Sequence, residues 1–211
     1  MGIQKKKIAV LVSGGGSNLQ SLIDQQENSF FEGEIVLVVS NNKNAYGLIR
    51  AQENEIAAIH VSKKDYPTNE LYDQKLLELF LEYKIDLIVL AGYLRYVTPL
   101  LIEKYPNKII NIHPSLLPSF GGYGFYGLNV HQAVYEKGAK VSGASVHFVD
   151  EGKDTGPIIL QKAIDLDQNW QPEQIQTEVL KIEHQLLPLA VKYFCADRLV
   201  VENHRVIILE D

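Results

Sequence analysis

The chain repeats one pattern, in which a short and almost wholly apolar run precedes a stretch with apolar residues every three or four positions. The apolar runs have the length and composition of buried parallel strands. They lie at residues 8–12, 35–40, 58–61, 86–91 and 109–113. The stretches between them have the period of amphipathic helices. This alternation predicts a Rossmann-like, doubly wound α/β fold with a mostly parallel sheet, in which residues 109–113 form the central strand.

The helical stretches also predict which side chains enter the core. In the helix expected after Thr68, one face carries the apolar residues that we assign to the core: Leu71, Leu76, Leu77, Phe80 and Leu81. Further along, extended segments at 141–149 and 157–164 predict antiparallel strands at the C-terminal side of the sheet. A long helix at about 172–193 and a short hairpin at 199–209 complete a single domain.

Composition limits the class of protein. At 211 residues, 46% of them apolar, the chain can bury a substantial core. Its 20 Lys and Arg against 26 Asp and Glu give a formal net charge of -6, which argues against a nucleic-acid partner. The single cysteine, Cys195, has no partner for a disulfide or a CxxC motif, so we expect a reducing, cytoplasmic environment. The run at 8–12 is too short for a signal peptide or a membrane span, so no membrane association is expected.

The first apolar run ends in a glycine-rich loop, Ser13-Gly14-Gly15-Gly16-Ser17-Asn18, that leads into a helix. Glycines let backbone N–H groups converge, and the helix N-terminus adds unpaired donors, so the loop is suited to a phosphate. It lacks the Lys-Ser/Thr ending of a nucleotide triphosphate loop, and Leu19 occupies the position of the third glycine of a dinucleotide fingerprint. A terminal monophosphate therefore fits better than ATP or NAD. The alternative is a plain glycine turn capped by Ser17 or Asn18.

The run at 109–113 carries two polar residues, Asn111 and His113, which lie on one face of a strand. Pro114 favours extended backbone at His113 and so keeps the imidazole at the end of the strand. Ligands of open α/β sheets bind beyond the carboxyl ends of the strands, where an amide can stabilise an oxyanion and an imidazole can move a proton. The alternative is that both residues only satisfy hydrogen bonds.

An acidic turn follows the segment at 141–149 and brings together possible metal ligands: His147, Asp150, Glu151 and Asp154. Their spacing matches no recognisable ligand set, so we expect no metal. Asp154-Thr155-Gly156 is also the aspartic-protease tripeptide, but that chemistry needs an equivalent second carboxylate, which no internal repeat supplies. We instead expect Asp154 to meet Asn111 and His113, where a carboxylate orients the imidazole and stabilises its protonated form.

Six segments occur in a specific order and spacing: Ser13-Gly14-Gly15-Gly16-Ser17-Asn18-Leu19-Gln20, Ser40-Asn41, Leu90-Ala91-Gly92-Tyr93-Leu94-Arg95, Asn111-Ile112-His113-Pro114-Ser115-Leu116-Leu117-Pro118, Ser145-Val146-His147-Phe148-Val149 and Asp154-Thr155-Gly156-Pro157-Ile158-Ile159. With these segments the chain resembles the phosphoribosylglycinamide formyltransferase family of folate-dependent enzymes. The resemblance runs from Ile8 to about Phe194. Each motif alone is modestly specific, whereas their order and spacing together are highly specific.

The resemblance implies a role for each matching residue. Three residues would be catalytic: Asn111, His113 and Asp154. Four would bind glycinamide ribonucleotide: Gly16, Ser17, Asn18 and Glu183. The first three of these would hold its 5-phosphate, and the glutamate would contact its amine or its ribose hydroxyls. The co-substrate 10-formyltetrahydrofolate would contact seven positions: Leu94, Arg95, Tyr96, Val97, Asn111, Asp150 and Asp154.

The implied reaction is transfer of the formyl group from 10-formyltetrahydrofolate to the amine of glycinamide ribonucleotide in purine (IMP) biosynthesis. The uncharged amine would attack the formyl carbon while Asn111 and a protonated His113 stabilise the oxyanion. Asp154 would hold His113 and help to relay a proton, through water, to the folate nitrogen. Residues up to about 105 would form the phosphate-binding half, and residues 106–211 the catalytic and folate-binding half, of a monomer or homodimer.

Three features depart from the commoner form of the family. The loop 119–129 is longer and richer in Gly and Tyr, which puts histidine-containing contacts there in doubt. Asn69 stands where many members have an arginine near the folate tail, and Leu180 replaces a polar residue near the phosphate site. These departures concern affinity and leave the implied reaction unchanged.

Other functions of the same fold are weighed against this one. A 10-formyltetrahydrofolate hydrolase would use the same three catalytic residues with water as the nucleophile, but that family carries an extra N-terminal domain, whereas the first strand here begins at Ile8. A methionyl-tRNA formyltransferase would need an added C-terminal domain and a basic surface. A non-catalytic sugar-phosphate-binding module would not need the three catalytic residues together.

Overall fold

The strands and helices follow the predicted alternation. The computed structural model describes residues 5–210. Within that range the strands are β1 (Lys6–Val12), β2 (Gly33–Ser40), β3 (Ala57–His60), β4 (Leu87–Leu90), β5 (Ile109–His113), β6 (Val141–Phe148), β7 (Ile158–Asp165), β8 (Leu199–Glu202) and β9 (Arg205–Ile208). The helices are α1 (Ser17–Glu27), α2 (Tyr46–Glu53), α3 (Asn69–Glu82), α4 (Pro99–Lys104), α5 (Leu128–Glu136) and α6 (Pro172–Cys195), with a 3-10 turn at Lys63–Asp65.

The main sheet has seven strands in the order β3-β2-β1-β4-β5-β6-β7. The pairs from β3 to β5 are parallel, and the pairs β5–β6 and β6–β7 are antiparallel. The predicted α/β fold with a mixed sheet is therefore confirmed. One detail is wrong, because the middle strand is β4 and not β5. The chain adds β2 and β3 on one side of β1 before it returns to the other side, and β5 becomes the last strand of the parallel part.

Helices cover both faces of the sheet, as expected for strands that are apolar throughout. On one face, Ile8, Val10 and Val12 of β1 belong to a buried cluster with α1 and α6. On the opposite face, Ala9 and Leu11 belong to a cluster with α3 and α4. Alternate residues of β1 thus contribute to both cores, and β1 is an interior strand between β2 and β4.

The predicted core face of α3 is only partly correct. Leu76, Leu77 and Phe80 are buried, whereas Leu71 is 49% exposed and Leu81 is 65% exposed. The buried stripe of the helix consists of Tyr72, Asp73, Leu76, Leu77, Leu79 and Phe80. Leu71 precedes and Leu81 follows the buried residues of α3 by one position. The spacing of the leucines alone therefore predicted a core face that was too long at both ends.

The predicted C-terminal hairpin is confirmed as β8 and β9. Asn203 and His204 form its turn in the left-handed region, with φ angles of 47° and 64°. His204 Nε2 lies 2.9 Å from the carbonyl oxygen of Thr155, so the hairpin contacts the segment that follows the acidic turn. Over residues 5–210, no helix is both long enough and apolar enough to span a lipid bilayer.

Candidate active site

The carboxyl ends of β1, β4 and β5 lie at one edge of the sheet, and Ser13 joins the loops that follow two of them. The Ser13 hydroxyl donates to Asn41 Oδ1 at 2.6 Å and accepts the backbone N–H of Leu94 at 2.9 Å. The Ser13 N–H donates to the carbonyl of Gly92 at 3.2 Å. The glycine-rich loop and the loop 92–97 are therefore held next to each other beyond the strand ends.

The helix α1 begins at Ser17, directly after the last glycine of the glycine-rich loop, and no side chain caps its N-terminus. Gly16 has a φ of 71°, in the left-handed region that glycine adopts without strain. Asn18 Nδ2 donates to Glu183 Oε2 at 2.7 Å, so the asparagine side chain is directed toward α6. The geometry favours the phosphate-binding interpretation over the capped turn, because an uncapped helix N-terminus keeps its capacity to bind an anion.

Asn111 and His147 are opposed residues of the antiparallel pair β5–β6. His147 Nδ1 lies 2.8 Å from the carbonyl oxygen of Phe148 and donates there, so Nε2 is an acceptor in the neutral ring. Asn111 Nδ2 lies 3.0 Å from that Nε2 and donates to it. The other Asn111 Nδ2 hydrogen faces Asp154 Oδ1 across 3.4 Å, which is long for a hydrogen bond. His147 therefore aims one N–H of the Asn111 amide into the site.

The His113 side chain is buried, and both of its ring nitrogens face oxygen atoms. Nε2 lies 2.8 Å from the carbonyl oxygen of Phe120, and Nδ1 lies 3.7 Å from Asp154 Oδ2. Burial lowers the pKa of His113, and the opposing effects of the Asp154 charge and the Phe120 carbonyl do not offset it. Burial therefore disfavours the imidazolium form of His113, while the neighbouring Asp154 carboxylate favours it, and burial is the larger effect in the free site.

Asp154 lies in the acidic turn with a φ of 57°, in the left-handed region. The N–H of Gly122 donates to its Oδ2 at 2.9 Å. Burial acts to raise the pKa of the Asp154 carboxyl, but His147, the charge of His113 and the Gly122 N–H together lower it below its ordinary value. Asp154 is therefore ionised at neutral pH, and it lies beside Asn111 and His113 as the sequence predicted.

Glu183 of α6 is a buried carboxylate, with 8% of its surface exposed. Burial raises the pKa of Glu183 to about 7, and the hydrogen bond from Asn18 opposes this increase only in part. Asn18 Oδ1 is also buried, without a hydrogen-bond partner among residues 5–210. This pair therefore offers acceptor oxygens to a ligand that carries N–H or O–H donors.

Two cavities meet at these residues. The larger, about 290 Å³, extends from the N-terminus of α1 to α6 and the loop 119–129. The smaller, about 130 Å³, lies between the loop 92–97 and the acidic turn. Five residues line both cavities: Tyr93, Arg95, Tyr96, Asn111 and Asp154. The site can therefore hold two ligands whose reacting groups meet at Asn111 and Asp154.

The structure brings almost all of the predicted site residues to these cavities. Nine line the larger one: Ser17, Asn18, Leu94, Arg95, Tyr96, Asn111, His113, Asp154 and Glu183. Val97 and Asp150 line the smaller one. Gly16 lies outside both linings, where it connects the glycine-rich loop to Ser17 at the start of α1.

The acidic turn is organised by its own hydrogen bonds. Asp150 Oδ1 accepts the N–H of Gly152 at 3.1 Å and the hydroxyl of Thr155 at 2.7 Å, so this carboxylate shapes the turn. Within the described part of the chain, no group of three or more His, Cys, Asp and Glu side chains could hold a metal ion. Any ligand of this turn is therefore expected to meet its backbone and Asp154.

The loop 119–129 contributes contacts that the sequence pattern could not place. Phe125, Tyr126 and Gly127 line the larger cavity. In the same loop, the Phe120 carbonyl and the Gly122 N–H contact the predicted catalytic residues, as described above. The loop thus forms one wall of the site.

Three further positions lie at or beside the cavities. Asn69 Oδ1 accepts a hydrogen bond from Arg95 Nη2 at 3.0 Å and so helps to hold that arginine at the cavities. Leu180 lines the larger cavity, where it presents an apolar surface near Glu183. His131 lies in the second turn of α5 and lines the larger cavity, where it is buried. Burial lowers the pKa of His131 to about 4.

Residues 6–191 match the sequence model of a family described as formyl transferase. The chain belongs to the formyl transferase family. It is 37% identical over 199 residues to the phosphoribosylglycinamide formyltransferase of Haemophilus influenzae, a match that covers 94% of this chain and 92% of the relative. It is 40% identical over 197 residues to the chloroplastic phosphoribosylglycinamide formyltransferase of Arabidopsis thaliana, covering 93% of this chain and 68% of the relative. The family resemblance drawn from the sequence motifs is confirmed.

Solved structures of formyl transferases share this fold. Glycinamide ribonucleotide transformylase 1 from Symbiobacterium toebii superposes with a TM-score of 0.93 at 40% identity, covering 98% of this chain and 95% of that one. A formyltetrahydrofolate deformylase from Pseudomonas syringae superposes with a TM-score of 0.89 at 26% identity, covering 98% and 67% of the two chains. The formyl transferase fold is shared by both enzymes, and the identity is higher to the transformylase.

Proposed function

We propose that this protein is a phosphoribosylglycinamide formyltransferase, which transfers the formyl group of 10-formyltetrahydrofolate to the amine of glycinamide ribonucleotide in purine biosynthesis. The observation that carries this function is the pair of cavities that meet at Asn111 and Asp154. A transfer between two bound molecules requires two adjoining compartments with catalytic groups at their junction. The relatives named phosphoribosylglycinamide formyltransferase support the same function.

Glycinamide ribonucleotide occupies the larger cavity. Its 5-phosphate binds the backbone N–H groups at Gly16, Ser17 and Asn18, where the N-terminus of α1 adds a partial positive charge. Its ribose hydroxyls or its amine donate to Glu183, which lies 2.7 Å from Asn18. The acceptor oxygens of Glu183 and Asn18 adjoin the phosphate site, which suits a molecule whose donor groups lie next to its anion.

The pterin of 10-formyltetrahydrofolate occupies the smaller cavity. It contacts the backbone of the loop 92–97 and of the acidic turn, and Arg95 and Tyr96 extend from this loop into both cavities. No metal ion takes part in this arrangement. For the single domain we propose a division at about residue 105, in which the first half carries the phosphate site and the second half carries the catalytic residues and the acidic turn of the folate site. The loop 92–97 of the first half also lines the folate cavity.

Nucleophilic attack begins with the uncharged amine of glycinamide ribonucleotide. Its nitrogen forms a bond to the formyl carbon, and the electrons of the carbonyl move onto oxygen. The Asn111 N–H that faces Asp154 across 3.4 Å turns to this oxyanion, because a short charge-assisted hydrogen bond replaces a long contact. His147 keeps the amide in this orientation through the other N–H.

Proton transfer completes the reaction. The neutral His113 accepts the proton that the attacking nitrogen loses, and the imidazolium is stabilised by the Phe120 carbonyl and by the Asp154 carboxylate. The 3.7 Å between His113 and Asp154 allows one water molecule or substrate atom to bridge them. The proton then passes to the folate nitrogen as its bond to the formyl carbon breaks, and His113 is neutral again.

Two finer features belong to the same proposal. The enzyme works in the cytoplasm, for which the single buried cysteine, Cys195, is the supporting observation. It works as a monomer or a homodimer, because each chain carries both cavities and the residues at their junction. The two small-molecule substrates fit the family. Neither the compartment nor the oligomeric state alters the proposed chemistry.

The fate of an isotopically labelled formyl group tests this function against hydrolysis. The enzyme is incubated with 10-formyltetrahydrofolate labelled at the formyl carbon, together with glycinamide ribonucleotide, and the products are separated. The transferase predicts label in the ribonucleotide. Label in free formate would instead identify a formyltetrahydrofolate hydrolase, and label retained in folate would leave only a binding function.

A further inference from the structure

Arg50, on the helix α2, binds the outer side of the glycine-rich loop. Its Nε donates to the carbonyl of Gly15 at 2.9 Å, and its Nη1 donates to Gln20 Oε1 in α1 at 2.9 Å. The guanidinium also lies over the ring of Tyr46, with 5.0 Å between Cζ and the ring centroid. One planar side chain thus connects the loop, the first turns of α1 and the surface of α2.

The helix α2 approaches this loop closely along its backbone. A Cβ atom on Gly16 would lie 2.7 Å from the Cα of Gly47. The N–H of Gly47 donates to the carbonyl of Gly14 at 3.1 Å. The carbonyls of Gly14 and Gly15 are therefore both bound by α2, the first through its backbone and the second through Arg50.

The direction of these carbonyls decides the direction of the next N–H groups. In a trans peptide the carbonyl and the following N–H point in opposite directions within one plane. When Arg50 holds the Gly15 carbonyl toward α2, the N–H of Gly16 in the same peptide plane points away from α2. A free glycine peptide could rotate, because glycine populates many backbone conformations at little cost.

We propose that Arg50 is a positioning residue for the phosphate site, which fixes the Gly15–Gly16 peptide so that its N–H faces the 5-phosphate monoester of the substrate. This inference rests on the proposed function, since it concerns the phosphate-binding part of that site. Arg50 acts through the loop and not by contact with the reacting atoms. Its planar fork is essential, because a lysine carries the same charge but cannot make two donations in one plane.

Steady-state kinetics of Arg50→Ala and Arg50→Lys test the proposal. Loss of a charge-assisted hydrogen bond and of the fixed peptide should raise KM for glycinamide ribonucleotide by about 10- to 100-fold in both variants. The kcat value and KM for 10-formyltetrahydrofolate should change little. Lys43→Ala is the matched control, because it removes one positive charge from an exposed position in the segment between β2 and α2. We expect this control to behave as the wild type.

The phosphate itself supplies a second comparison. With glycinamide riboside, which lacks the phosphate, the Arg50 variants should have the same kcat/KM as the wild type, because the positioned N–H then has no anion to bind. An equal loss with riboside and ribonucleotide would show that Arg50 only supports the fold. Recovery of wild-type KM in Arg50→Lys would show that charge alone matters, and either result would overturn the positioning role.

Calorimetric titration with ribose 5-phosphate separates this inference from the proposed function, because it needs no catalysis. Binding to the wild type and Lys43→Ala, with at least about tenfold weaker binding to both Arg50 variants, is the expected result. Equal binding to all four proteins would overturn the role of Arg50 while leaving the phosphate site intact. No binding even to the wild type would overturn the phosphate assignment and, with it, the inference.

Discussion

Replacing Glu183 by Gln should stabilise the protein at alkaline pH and at the same time weaken the binding of glycinamide ribonucleotide. The buried carboxylate is costly when ionised, and burial raises its pKa to about 7 from an ordinary 4.5. The Gln side chain keeps an oxygen that accepts the hydrogen bond from Asn18, but it carries no charge at any pH. The substitution therefore removes the ionisation and replaces the second carboxylate oxygen, an acceptor available to the ribonucleotide, by an amide N–H donor.

The magnitude follows from the two pKa values. Between pH 4.5 and about 7, the folded protein holds a proton at Glu183 that the unfolded chain releases, so the free energy of unfolding falls as the pH rises. Each pH unit of this window corresponds to about 1.4 kcal/mol. Between pH 4 and pH 8, the free energy of unfolding of the wild type therefore falls by about 3 kcal/mol more than that of Glu183→Gln.

Urea denaturation of wild type and Glu183→Gln across pH 4 to 8.5 measures this difference, because other titrating groups contribute equally to both proteins. The gain in the free energy of unfolding should appear between about pH 4.5 and 7 and then stay constant. Glu53→Gln, at an exposed position of α2, controls for the loss of a carboxylate as such. A stability difference that does not depend on pH would refute the reasoning.

The remaining predictions concern the other parts of the site. Asn111→Ala should lower kcat by about 10² to 10³ while KM for glycinamide ribonucleotide changes little, as stopped-flow or steady-state assays would show. His147→Ala should lower kcat on the order of tenfold, because the Asn111 amide is no longer aimed, and His147→Gln should recover part of the loss. Gly16→Ala should raise KM for the ribonucleotide at least about tenfold, since its Cβ would lie 2.7 Å from Gly47 Cα at a φ of 71°.

Each of these predictions has a clear contrary result. Full kcat in Asn111→Ala would remove that residue from the oxyanion site. If His147→Ala lost activity through general instability instead, its thermal midpoint would fall and His147→Gln would not recover activity. An unchanged KM in Gly16→Ala would show that the glycine-rich loop does not bind the phosphate.

The fold was largely predictable because its strands are short, continuous and apolar. The strand predicted at 109–113 coincides with β5. The order of strands within the sheet was less accessible, since the pattern does not say on which side of β1 each crossover adds its strand, and β5 was wrongly taken as the middle strand. The face of α3 was extended to Leu71 and Leu81 because leucine spacing alone does not mark where a helix leaves the core.

The positions of Asn111 and His113 in the site were predictable, because the two residues are close in sequence and lie on one face of a single strand. The partner of the Asn111 amide was not predictable, because His147 meets it only through the register of the antiparallel pair β5–β6. The direction of the pKa shift at His113 was not predictable for a related reason. Sequence shows the carboxylate that attracts the proton, whereas the stronger effect of burial appears only in the folded structure.

The absorbance change of 10-formyltetrahydrofolate on adding the enzyme, with and without glycinamide ribonucleotide, tests the central claim most directly. Two cavities joined at Asn111 and Asp154 predict that the folate loses its formyl group only when the ribonucleotide is present. Deformylation at the same rate without the ribonucleotide would mean that water is the acceptor and would contradict the transferase function. No absorbance change under either condition would contradict catalysis itself.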